Sequence, residues 1–214
     1  MVVLLGVPIV FSEIGSATTE NETLDRILDR VEKRYALPGF SARFYQTSVI
    51  KDMQIKDTAL GRILVKRPDR MKWEYETPEK QIIITDGKQL WIYRPEDRQV
   101  IIGEAPYFFG DGKGAGFLAD IKHIRRQFHV SLEKTDAEGV YVLKLLPEKK
   151  TLDISKIYLS ISKQTFDVVE IVTFNAYGDE TRISLDNFKF LRDPDDALFQ
   201  FTIPDGTDVL EFQK

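Results

Sequence analysis

The sequence predicts a mainly β protein of α+β type: one large antiparallel sheet that must curl, with a few helices laid against it. Three observations lead there. Apolar residues recur with a period of two from Phe40 almost to the C-terminus, Asp86-Gly87 punctuates two such runs as a hairpin turn does, and no strand–helix–strand rhythm interrupts them. A sheet of about eleven antiparallel strands curls, and a curled sheet has a concave side that helices either fill or roof over.

The chain opens with VVLLGVPIVF, Val2 to Phe11, an uncharged apolar run of ten residues followed by Gly15 and Ala17 at the spacing of a small-residue cleavage site. It is too short to span a bilayer as a helix and reads as a secretion signal over residues 1–17, one that lacks the usual Lys/Arg start. Residues 18–214 then form a single domain, because no Gly/Ser/Pro-rich linker divides them.

In NETLDRILDRVEKRYALPGF, Leu24, Ile27, Leu28, Val31 and Tyr35 make one stripe of an amphipathic helix, acidic early and basic late, stopped by Pro38-Gly39. Strand-like runs follow from Phe40 and at 61–67, 71–76, 81–85, 89–94 and 99–103. In the run at 61–67, Gly61, Ile63, Val65 and Arg67 share a parity, so a guanidinium stands at the rim of an apolar face. In the next, Met71, Trp73 and Tyr75 alternate with Arg70, Lys72 and Glu74. The segment APYFFGDGKGAG, 105–116, mixes five glycines or prolines with three aromatics and reads as an irregular, functional loop. Phe117, Leu118, Ile121 and Ile124 then fall at helical spacing, predicting a short helix. Strands resume at 129–134, 139–146, 155–162, 166–175 and 180–190, with a parity change that predicts a bulge near Asn187; Phe199, Phe201 and Ile203 suggest a last strand.

Composition narrows the function classes. A formal charge of −4 is not that of a basic nucleic-acid binder, and the absence of cysteine suits an oxidising compartment without lipid attachment at an N-terminal Cys. His123 and His129, flanking two arginines, lack metal-site spacing, so no metal or cofactor is expected. No nucleophile elbow, P-loop or dinucleotide fingerprint is present, and the carboxylate clusters DPDDA and TDAEG have turn composition. The basic run KHIRRQ reads first as a solvated helix face and second as a docking surface for an acidic partner or lipid headgroups. What stands out is aromatic: Trp73, Tyr75, Trp91, Tyr93, Phe108, Phe109 and Phe117 concentrate in the first part of the sheet and its loop.

Four stretches, FSARFYQ, GRILVKRPDRMKWEYETP, ITDGKQLWIYRPEDRQV and FQFTIPDGTDVLEF, together resemble the LolA family of periplasmic lipoprotein carriers. The KRP turn, the tryptophan after it and the DGK-x-LW-x-Y-x-P hairpin, in that order, are the specific part. The resemblance implies an incomplete, strongly curved antiparallel β-barrel whose helices form a lid over an apolar cavity for lipoprotein acyl chains. It implies that Arg67 latches the lid and that Ile63, Val65, Met71, Trp73, Tyr75, Trp91, Tyr93, Phe117, Leu118 and Ile121 line the cavity. It further implies a non-enzymatic monomer in the periplasm, loaded by an inner-membrane lipoprotein-releasing ABC transporter and unloaded by an outer-membrane receptor lipoprotein. Other readings are an envelope-sensing regulatory domain of the same fold, a carrier of another amphiphile, and an enzyme acting on a lipid or glycan.

Overall fold

The computed structural model describes residues 23–106, 116, 118, 121–133, 138–149 and 151–212. The expected leader, most of the Gly/aromatic loop including Phe108 and Phe109, and Phe117 lie outside the described residues.

The amphipathic stripe forms helix α1, Leu24–Arg34. Thr23 caps it by accepting from Arg26 N at 3.5 Å, and Ile27, Leu28 and Val31 are buried. Strands β1 (Gly39–Ile50), β2 (Ile55–Lys66), β3 (Arg70–Thr77), β4 (Gln81–Thr85), β5 (Gln89–Arg94) and β6 (Gln99–Glu104) follow as one antiparallel meander. The β4–β5 turn is tied by Asp86, whose Oδ1 accepts from Lys88 N and Gln89 N, each at 2.8 Å, with Gly87 at φ +97°.

The expected second helix is the short α2, His123–Gln127, preceded by buried Leu118 and Ile121. It leads into a second meander, β7 (Phe128–Glu133), β8 (Val140–Pro147), β9 (Lys156–Ser162), β10 (Val168–Phe174) and β11 (Glu180–Leu191). β11 then pairs with β1, so with β12 (Asp208–Glu211) at one edge the sheet runs β12-β6-β5-β4-β3-β2-β1-β11-β10-β9-β8-β7: two meanders joined at their first and last strands rather than one continuous series. It is one large, curved, open sheet of twelve strands. The bulge expected near Asn187 is there, with that residue at φ +54° and the β1–β11 register shifting between Ser41 and Arg43.

The C-terminus differs from expectation. Instead of a strand through Phe199 to Ile203, a 3-10 turn, Asp196–Phe199, is followed by an extended segment; β12 forms at Asp208–Glu211 and runs parallel to β6. The Phe199/Phe201 alternation marks a strap lying across a sheet face, which produces the same burial period as a strand without its ladder.

Candidate functional site

Register sorts the sheet into two faces. On the concave side one row of cross-strand neighbours reads Phe40, Val65, Met71, Thr85, Leu90, and the next reads Ala42, Ile63, Trp73, Ile83, Ile92. A third row reads Phe44, Gly61, Tyr75. Here Gly61 is needed: a Cβ would stand 2.0 Å from Glu74 O and 2.9 Å from the Phe44 ring. The Phe44 ring instead lies edge-on to both Trp73 and Tyr75, with centroids 4.9 Å away in each case.

Of the residues expected to line a cavity, Ile63, Val65, Met71 and Trp73 are buried side by side on this wall with Tyr75 at its edge, and Leu118 and Ile121 are buried in the same core from the lid side. Tyr75 Oη donates to Gln46 Oε1 at 3.1 Å, and burial pushes its pKa up to about 12. Trp73 Nε1 is buried with no hydrogen-bond partner among the described residues. Such a donor costs about 1–3 kcal/mol until an acceptor reaches it.

Trp91 and Tyr93 are not on this wall. Trp91 pairs with Ile84 and Tyr93 with Ile82, whose β3 neighbours are Lys72 and Glu74, so both aromatics face outward. There they meet Phe201 of the strap, at ring-centroid distances of 6.4 and 5.2 Å.

The lid over the concave wall is α1 with α2 and the buried Leu118 and Ile121. Ile27, Leu28, Val31 and Tyr35, at the end of α1, share one apolar cluster with the wall and with Leu118, Ile121 and Ile124. The C-terminal end of α1 and its exposed side are held differently. At the C-terminal end Tyr35 is fully buried; its Oη accepts from Val168 N at 3.0 Å, and burial raises its pKa far above the ordinary tyrosine value. Arg34 beside it forks onto Asp167, at 2.7 and 3.3 Å, and lies over the Phe190 ring at 4.0 Å. The exposed side of α1 is held by Arg125 of α2, whose guanidinium reaches Asp25, Asp29 and Glu32 at 2.9, 2.6 and 2.8 Å. The first arginine of KHIRRQ is thus committed within the molecule, where it ties the two lid helices together.

Arg67 sits at the joint between lid and sheet. It is the first residue after β2, half-buried, with its Cζ 6.0 Å from the Tyr35 ring centroid and its main-chain N–H donating to Pro38 O at 2.7 Å. Sequence parity reached Arg67 but missed Arg34, Asp167 and Arg125. The usable signal was the row Asp25, Asp29 and Glu32 on α1, a stripe of carboxylates that a cation on a second helix would match.

Comparison with known proteins finds similarity in both sequence and fold. The family model described as "Outer membrane lipoprotein carrier protein LolA" matches residues 36–202. A protein named outer-membrane lipoprotein carrier protein from Nitrosomonas europaea is 31% identical over 80% of this chain and 82% of its own length. One of the same name from Azotobacter vinelandii is 25% identical over 92% of each chain. Among solved structures, an uncharacterized conserved protein from Thermus thermophilus superposes with a TM-score of 0.57 at 17% identity, covering 88% of this chain and 98% of that one, which is a likeness of fold.

Proposed function

The chain belongs to the LolA family of outer membrane lipoprotein carrier proteins, and from that premise we propose that it carries lipoproteins by taking their acyl chains onto the concave wall beneath α1. The observation that carries this reading is the arrangement of one continuous apolar wall, Phe44 to Met71, under a helix fastened firmly at one end and along its exposed side by surface contacts, the Arg125 ion pairs and Arg30 over the Phe166 ring at 3.8 Å.

Magnitudes favour exchange of lid for cargo. Uncovering Ile27, Leu28 and Val31 costs about 1.5–3 kcal/mol each, and burying an acyl methylene returns about 0.8 kcal/mol, so roughly the first six to eleven methylenes merely balance the lifted lid. A lipoprotein has more than that to bury. The lid therefore keeps cargo affinity moderate, which a carrier that must release requires. Trp73 Nε1 offers an arriving ester or amide carbonyl the donor that the closed state leaves unused.

On this reading the protein works in the periplasm without catalysing a reaction, receives cargo from an inner-membrane ATP-driven transporter and hands it to an outer-membrane receptor lipoprotein. Its domain would span residues 18–214 behind a cleaved leader. The test is to incubate the protein with membranes that hold a labelled triacylated lipoprotein, the candidate transporter and ATP. A soluble one-to-one complex is expected; cargo that stays in the membrane with a competent transporter would refute the carrier reading and favour another amphiphile.

A further inference from the structure

The outer face of the sheet is partly covered by the chain itself. Over β2 and β3 lies the strap, reading DPDDALFQF over residues 193–201, whose acidic residues meet cations that point outward from the sheet. Lys66 pairs with Asp196 and lies 3.7 Å from Asp193, while its Nζ donates to Pro194 O at 2.5 Å; Arg70 reaches Asp196 at 2.7 Å. Phe199, fully buried, and Phe201 supply the apolar contacts. The molecule thus binds one acidic, phenylalanine-bearing peptide on this face already.

Beside it the same face forms an open groove of about 710 Å³, lined among others by Arg43, Arg62, Leu64, Lys72, Lys189 and Leu198. Leu198 belongs to the strap's 3-10 turn and is 45% exposed, so the groove continues directly from the strap's seat. Arg62 is paired with Glu76 and Lys72 with Glu74, whereas Arg43 and Lys189 make no ion pair among the described residues. Arg43 stands directly opposite Arg62 across the β1–β2 ladder and opposite the exposed Asp186 across the β1–β11 ladder. Like charges in that position destabilise a sheet, and Asp186 makes no ion pair with Arg43 among the described residues, so a further carboxylate reaching the groove would offset the repulsion. At about 4.8 Å between strands, the cations from β3 to β11 spread over roughly 14 Å, which suits several carboxylates on an extended chain better than one phosphate.

We propose that this groove docks an acidic peptide segment of a partner protein, one in which Asp or Glu alternates with Leu or Phe. The peptide repeats outside the strap what the strap does beside it: carboxylates on Arg43 and Lys189, apolar side chains on Leu64 and Leu198. This surface is on the opposite side of the sheet from the acyl wall, and it stands whether or not that wall carries lipid.

The test is fluorescence anisotropy with the full chain and a short labelled peptide alternating Glu with Leu, together with the double variant Arg43→Glu, Lys189→Glu. Both residues are exposed and form no ion pair among the described residues, so the variant should keep the wild-type melting temperature. The peptide is expected to bind wild type, more weakly at about 0.5 M salt than at about 0.05 M, and the double variant should bind it about tenfold or more weakly. Absence of binding, equal binding by the variant, anionic vesicles captured in place of the peptide, or a dimer that the variant abolishes would each overturn the proposal.

Discussion

Arg67 illustrates how a single residue can be placed by sequence and understood only in structure. Its parity with Ile63 and Val65 put it on the inner side of β2, and the structure sets it beside Tyr35 at the joint where α1 meets the sheet. A guanidinium there can exchange hydrogen-bond partners as the joint moves, which a leucine cannot. Arg67→Leu should therefore accept cargo yet release it poorly, and the variant should be recovered loaded; equal transfer of labelled lipoprotein to an acceptor by both proteins would contradict this. Asp167 was not foreseen, because an Asp in KQTFDVV looks like a turn residue until Arg34 arrives from 133 positions away. Only 7% exposed, it is half of a forked pair. Asp167→Ala should lower stability by about 2 kcal/mol, less than the roughly 3–5 of a fully buried pair because the Arg34 side chain is 36% exposed; denaturant unfolding measures it.

At the scale of elements, α1 is a helix with a fixed end and a releasable side. Tyr35 and Arg34 tether its C-terminus, so opening should begin at the N-terminal turns, and Arg125 spans the helix from Asp25 through Asp29 to Glu32, the first two largely solvent-facing. Each such pair contributes about 0.2–1 kcal/mol and is screened by salt. Arg125→Ala should speed amide exchange across Leu24–Arg34 several-fold without changing it in β1 or β2, and high salt should do the same to wild type. The strap responds to acid instead. The Lys66 hydrogen bond, opposed by desolvation and helped by the Arg70 charge, holds the Asp196 carboxyl below its ordinary range. A carboxylate depressed in the folded state contributes its stabilisation above the unfolded value of about 4 and loses it as pH falls through the lower folded value. Trp91 fluorescence should consequently report release of Phe201 below about pH 4, while Asp196→Asn should show it already at neutral pH.

For the whole molecule, the alternating pattern made the large curled sheet and its helical lid legible, and the DGK hairpin with the KRP turn pointed to the family. Which aromatics face the lid was less legible, for a definite reason. The Asp86-Gly87 hairpin ties Trp91 to the face of Ile82 and Ile84, but QIIIT is apolar at consecutive positions, so alternation does not say which of those isoleucines shares the face of Trp73. That choice is made by register across the turn at 78–80, which sequence parity does not carry. The order β11 beside β1 was hidden likewise, since it pairs residues far apart in the chain. The central claim, that acyl chains occupy the concave wall and not the strap-covered face, can be tested directly by placing a photoreactive benzoylphenylalanine at Tyr75 or at Tyr93 and irradiating the loaded complex. Cross-links to the acyl chains from position 75 and none from position 93 are predicted; equal labelling from both, or labelling from position 93 alone, would contradict it.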